Sequence, residues 1–155
     1  MTATSPRTPP QAVHSIDTSS LEGLVGYNAR RASLFIVDII REHIASHDLR
    51  IVDLSILLLV AHNPGITSRQ LSSVLDILPP NLVGMLNTIE KRGLIERKPH
   101  PMDGRAMGLH VTDSGAELAT QVESEVGQLE IEATSHLTAT ERKTLIRLLQ
   151  KIYRR

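Results

Sequence analysis

Between Pro79 and Lys91, Pro80, Gly84, Asn87 and Lys91 recur at helical spacing, with Asn81 and Thr88 on their flanks. Such a face offers amides, a hydroxyl and a cation without bulk. An asparagine amide can pair with an adenine edge, and a lysine can neutralise a phosphate. Gly84 costs about 1 kcal/mol relative to alanine inside a helix, so it answers a steric need. That need is either close approach to a base edge or another backbone, or packing on a neighbouring helix. From Lys91 to Arg105 the cations Lys91, Arg92, Arg97, Lys98 and Arg105 outnumber the acids Glu96 and Asp103, which makes a local positive patch in a chain of zero net charge.

Two further groupings could do chemistry. Arg31 stands four residues after Tyr27 and four before Phe35, so a guanidinium shares a helix face with two of the three aromatic residues of the chain. That face could line a pocket for an organic anion, or Arg31 could make an ion pair. His43 and His47 are spaced to put two imidazoles on one ion, but two ligands do not complete a metal site, and no metal or cofactor is assigned. With no cysteine, thiolate metal sites, disulfides and thiol catalysis are excluded. The sequence also lacks a phosphate loop, a dinucleotide glycine pattern, a Gly-x-Ser-x-Gly elbow and a His-Glu-x-x-His motif, which argues against an enzyme. Three aromatic rings are too few for stacking single-stranded nucleic acid.

These residues need elements to position them. Residues 1–18, rich in Thr, Ser and Pro, read as a mobile tail, and 19–155 as one domain. A long helix from Leu21 to about His47, apolar nearly all round at Leu34 to Ile40, is expected to be covered on several sides. A second apolar helix, Ile51 to about Ala61, stops at Asn63-Pro64-Gly65. Thr67 and Gln70 form a capping box, and Ile66 with Leu71 a hydrophobic staple, for a short helix from Ser68 to about Leu75. Pro79-Pro80 opens the next helix. Its inward stripe is Leu82, Met85, Leu86 and Ile89, and it ends at Gly93 with Leu94 and Ile89 placed for a Schellman contact.

Ile95 to about Lys98 and Met107 to Val111 then read as a two-stranded hairpin turning at Pro101 to Gly104. Thr112 or Asp113 caps a helix to about Thr134, and a Thr138/Glu141 box opens the last one. Asp113 to Glu132 contains acids and no Lys or Arg, whereas Arg142 to Arg155 contains bases and no acid, so these two helices are expected to pair or simply to be solvated. No run of about 20 apolar residues and no secretory signal is present, so a soluble cytoplasmic protein without membrane partners is expected. The fold class is mainly α with a small β-hairpin.

Two short helices joined by a tight turn and followed by a hairpin make a winged helix-turn-helix. In Leu24 to Ser33, Pro79-Pro-Asn-Leu-Val83, Leu86 to Ile95, Asp103-Gly-Arg105 and Leu109 to Gly115, the chain resembles the MarR family of bacterial transcriptional regulators. The resemblance implies a homodimer, with 19–48 and 113–155 as dimerisation helices and 50–111 as the winged helix-turn-helix. It implies a sequence-specific repressor of a palindromic double-stranded operator, released by a small anionic effector such as an aromatic acid. Arg105 would then be the wing-tip arginine and Asp103 the acid that holds the wing, with Gly104 standing where many members carry a bulkier residue. The DNA-contacting set expected is Thr67, Ser68, Arg69, Pro79, Pro80, Asn81, Gly84, Asn87, Thr88, Lys91, Arg97, Lys98, Asp103 and Arg105. Tyr27, Arg31 and Phe35 are the effector candidates. A winged helix used only for protein contacts and a metal-responsive regulator are the alternatives.

Overall fold

The computed structural model describes residues 16–100 and 103–154, and for 100 and 103–105 the backbone alone. The tail expected over 1–18 lies outside the described residues except for 16–18, as do Pro101 and Met102 of the expected turn. Two compact units divide the chain at 34/35.

In the first unit, α1 (Ser19–Glu22) is followed by the start of α2 (Val25–Ile44). The single helix expected from Leu21 is therefore interrupted at Gly23 and Leu24. Asn28 explains how the break is tolerated: its Nδ2 donates to the carbonyl of Glu22 (2.7 Å), the acceptor left at the end of α1, and to that of Leu24 (2.8 Å) at the start of α2. At its far end α2 tightens into a 3₁₀ turn, Ala45–His47, closed by Asp48 in the left-handed region at φ 53°.

The second unit holds the core. α3 (Ile51–His62) buries Leu54, Ile56, Leu57 and Val60, as its apolar sequence requires. Its first turn is held by Asp53, whose carboxylate accepts the Arg50 backbone N–H (3.0 Å) and both arms of the Arg50 guanidinium (2.8 Å each). After Asn63-Pro64-Gly65 comes a strand that the alternation of residues did not signal, β1 (Ile66–Thr67). Thr67 then caps α4 (Ser68–Leu75) through the expected box with Gln70. Asp76, at φ 52°, turns the chain toward α5 (Pro79–Lys91).

β2 (Ile95–His100) and β3 (Asp103–Val111) pair antiparallel, and β1 adds to the other edge of β3, so the sheet has three strands in the order β1-β3-β2 rather than two. Two residues are too short to show a periodicity. The pairing of Thr67 with Gly108 depends on close approach: a Cβ on Gly108 would lie 2.9 Å from the Gly65 backbone. Thr112 caps α6 (Asp113–Ala133), and the Thr138/Glu141 box opens α7 (Ala139–Tyr153).

Charge pairing of the last two helices, one of the two readings of their composition, is not found among the described residues. Among the described residues no ion pair joins α6 to α7. The Arg142 guanidinium instead donates to Thr134 Oγ1 (2.7 Å) and to the carbonyls of Ile131, Thr134 and Leu137, at and just beyond the end of α6, where the negative end of the helix dipole favours a cation. α7 contains no buried residue. No described helix is long and apolar enough to cross a membrane.

Candidate nucleic-acid interface

α4 and α5 pack through Leu71 on one side and Leu82, Leu86 and Ile89 on the other, all nearly inaccessible to solvent, with Met85 partly buried beside them. This inward stripe is the one read from the sequence. It follows that Pro79, Pro80, Asn81, Gly84, Asn87, Thr88 and Lys91 face outward, and all seven are exposed. Val83 joins them at 50% exposure, an apolar residue that the sequence reading left out. An isolated valine on a polar helix face gives no periodic signal; its place matters because a methyl group can contact thymine.

The ends of α5 are fixed in different ways. Pro79 opens it where a missing N–H costs nothing. At its end the Gly93 N–H donates to Glu90 O (2.9 Å) and the Leu94 N–H to Ile89 O (3.3 Å), the expected Schellman pattern, with Gly93 at φ 70°. Arg92, just past α5, reaches back to donate to the carbonyls of Asp48 and His47, the latter at 2.9 Å. The sequence reading counted Arg92 only as patch charge. Its anchoring role needs the fold, because its acceptors lie 44 and 45 residues away.

Gly84 resolves one alternative. A Cβ built there meets no atom within 4 Å, so packing on the preceding helix does not require glycine at this position. Thr88 Oγ1 donates to the Gly84 carbonyl (3.0 Å). Asn87 is less free than expected, since its Oδ1 accepts from Arg97 Nη2 (2.9 Å). Arg97 also lies 3.4 Å from Glu90, so it braces β2 against α5 and its charge is partly spent inside the protein. Lys98 pairs with Glu96 at 2.7 Å. Among the described residues Arg69, at the start of α4, and Lys91 make no ion pair, and both are exposed. The Thr67 hydroxyl is engaged with Gln70. The side chains of Asp103 and Arg105 lie outside the described residues.

Tyr27, Arg31 and Phe35 follow one another along α2, the first half-buried and the other two exposed. His43 and His47 converge as their spacing suggested. Each places Nε2 2.8 Å from Oε2 of Glu125 on α6, a partner that sequence distance concealed. Hydrogen bonds from Gln121, His43 and His47 lower the Glu125 carboxyl to about 2.

Two short helices at a tight turn, backed by a core stripe and flanked by a small antiparallel sheet, define a winged-helix protein. Comparison with known proteins carries this further. The model of the MarR family matches residues 47–106. The multiple antibiotic resistance protein MarR of Escherichia coli (strain K12) is 32% identical over 115 residues, covering 74% of this chain and 80% of that protein. A protein assigned to regulation of the hcr operon in Thauera aromatica is 34% identical over 95 residues, 61% of this chain, which spans 57% of that protein's length. The solved structure of the transcriptional repressor CouR bound to a 23-mer DNA duplex aligns with a TM-score of 0.83 at 32% identity, over 90% of this chain and 99% of that one. The chain belongs to the MarR family of transcriptional regulators.

Proposed function

We propose that the protein is a homodimeric repressor that binds a palindromic DNA duplex through α5 and the β2–β3 wing and releases it on binding a small organic anion. The observation that carries the DNA reading is the outward face of α5. Asn81, Gly84, Thr88 and Lys91 are exposed there, and Gly84 leaves open space that the protein does not fill. The similar repressor CouR is bound to a duplex. In this arrangement Asn81 and Val83 read base edges, Asn87 offers its remaining N–H donors, and Lys91 contacts phosphate. Pro79 and Pro80 set the entry of the helix. Thr67, Ser68 and Arg69 place the start of α4 and a cation against the backbone, while Lys98 and Arg105 extend contact along the wing. Segment 50–111 is the DNA-binding unit, and 19–48 with 113–155 are the dimerisation helices.

The test is selection of duplexes by the full-length protein, followed by a salt titration. A palindromic site with half-sites about one helical turn apart is expected, with affinity falling steeply as salt rises. Arg105→Ala is expected to weaken binding. Salt-independent binding or a single half-site overturns the reading and favours a module for protein contacts.

The effector reading has its own support. A cavity of about 480 Å³ is lined by Val37, Leu49, Ile51 and Val52 together with Arg41 and Arg50, an apolar wall beside two guanidinium groups. Arg31, the residue expected from sequence, does not line it. Benzoate-type acids are expected to release the duplex from wild type and not from Arg41→Ala; equal release from both rejects this site.

A further inference from the structure

His43, His47 and Glu125 come from three separate elements: the last turn of α2, the 3₁₀ turn after it, and α6. One donor atom from each lies within 4.8 Å of the other two. Both imidazoles aim Nε2 at the same carboxylate oxygen, 2.8 Å away in each case. Ligands of a tetrahedral ion, each 2.0–2.1 Å from it, stand about 3.3 Å apart, so opening the cluster by about half an ångström admits an ion. Gln121 holds the other carboxylate oxygen, donating from Nε2 at 2.9 Å, which leaves Oε2 for a single-oxygen contact. The cluster is neither flush with the surface nor sealed: His47 is 18% and Glu125 30% accessible.

We infer that His43, His47 and Glu125 form a site for a divalent first-row transition ion, with zinc as the ion best suited to it. Two imidazole nitrogens and one carboxylate oxygen are a borderline donor set, suited to zinc and its neighbours rather than to calcium or magnesium, which prefer oxygen alone. Three protein ligands leave a fourth position for water or an exogenous group. The ion would tie α6 to the turn that ends α2. The His47 carbonyl in that turn accepts from Arg92, the residue that caps α5, so the ion fixes the anchor of the helix presented outward. The His62–Glu123 pair, also reaching α6 and with one imidazole Nε2 2.9 Å from its carboxylate, supplies only two residues and serves as an internal control.

The test uses the full-length protein freed of metal by chelation and titrated with Zn²⁺ by calorimetry, and in parallel with Co²⁺ by absorbance. The expected result is one ion per chain, with affinity falling at least about tenfold in Glu125→Gln and in His47→Gln, consistent with the loss of a metal ligand. His62→Gln should bind as wild type does. Should the site variants lose their fold by circular dichroism, X-ray absorption at the zinc edge of the wild-type protein decides the matter. Scattering from two imidazoles supports the site, and its absence overturns it. Zn²⁺ affinity unchanged in His43→Gln/His47→Gln, or no binding by the wild type, overturns it equally.

Discussion

At the scale of single residues, two side-chain positions make opposite demands on stability and function. Gly84 is a helix-weakening residue whose missing side chain meets no atom of the protein. Gly84→Ala should therefore raise stability by up to about 1 kcal/mol in thermal unfolding. The same variant should lose about 1–3 kcal/mol of specific affinity for the selected duplex if that space receives a base edge. Unchanged affinity alongside raised stability would remove Gly84 from the interface. Among the described residues Asp53 is the buried charged one. Burial pushes its carboxyl up, but hydrogen bonds from the Arg50 side chain and backbone, with the charges of Arg50 and Arg92, together hold it below its ordinary value. A carboxyl depressed in the folded state adds stability above its unfolded pKa of about 4, and that contribution is lost as pH falls through the folded value. Arg50 is largely exposed, so solvent screens the pair. Asp53→Asn should cost about 1–2 kcal/mol at pH 7, and the gap to wild type should close below about pH 4 in denaturant titrations. The outward set on α5 was legible in the sequence because helical spacing and an apolar stripe define both faces at once. Asp53 was not, because its role depends on burial.

At the scale of elements, legibility follows the range of the interaction. Caps at Thr67, Thr112 and Thr138 and the Schellman ending at Gly93 are local, and their chemistry spans only a few residues. The interruption of the first helix was missed because it depends on a side chain, Asn28, that bonds back across the break. β1 was missed because its reason lies in β3, more than forty residues on. Contact between the wing and α6 also rests on a distant pair. Thr112 Oγ1 (2.6 Å) and Ser114 Oγ (3.1 Å) donate to the Gly93 carbonyl, and the Thr112 N–H donates to Leu94 O (3.1 Å). These bonds draw the start of α6 so close that a Cβ on Gly115 would lie 1.9 Å from Leu94 O. Because the neighbour is backbone and cannot rotate away, Gly115→Ala should cost at least about 2 kcal/mol and lower Tm by several degrees. Gly127→Ala, on the same helix with nothing within 4 Å of the new Cβ, should stabilise slightly instead. Equal effects from the two would show that this contact does not hold the wing root.

At the scale of the whole molecule, one chain leaves apolar surface uncovered. Leu145, Ile146, Leu148, Leu149 and Ile152 are all exposed on α7, and Ile152 retains 60% of its accessibility. A helix of fifteen residues is marginal in water unless a face of it is packed. Phe35, the residue expected to stand with Arg31 on an effector face, is exposed on α2 as well. Zero net charge removes a general repulsion between copies, and Lys143, Arg147, Lys151 and Arg154 make no ion pair among the described residues. They remain available to a second copy, although exposed ion pairs are worth only about 0–1 kcal/mol each. In the proposed homodimer apolar burial must therefore supply most of the association energy, at roughly 25 cal/mol per Å² covered. Folding and association are then linked, and Tm should rise with protein concentration. Leu149→Glu/Ile152→Glu places two charges on the uncovered stripe. Sedimentation equilibrium should show a dimer for wild type and a monomer for the double variant, with far-UV circular dichroism showing lost helix where α7 has no partner. If α5 reads DNA as one of a symmetric pair, this variant should also lose most of its affinity for a two-half-site duplex, although no residue it changes faces DNA. A variant that sediments as a dimer, or a monomer with undiminished helix and duplex affinity, would show that α7 is not the dimer contact.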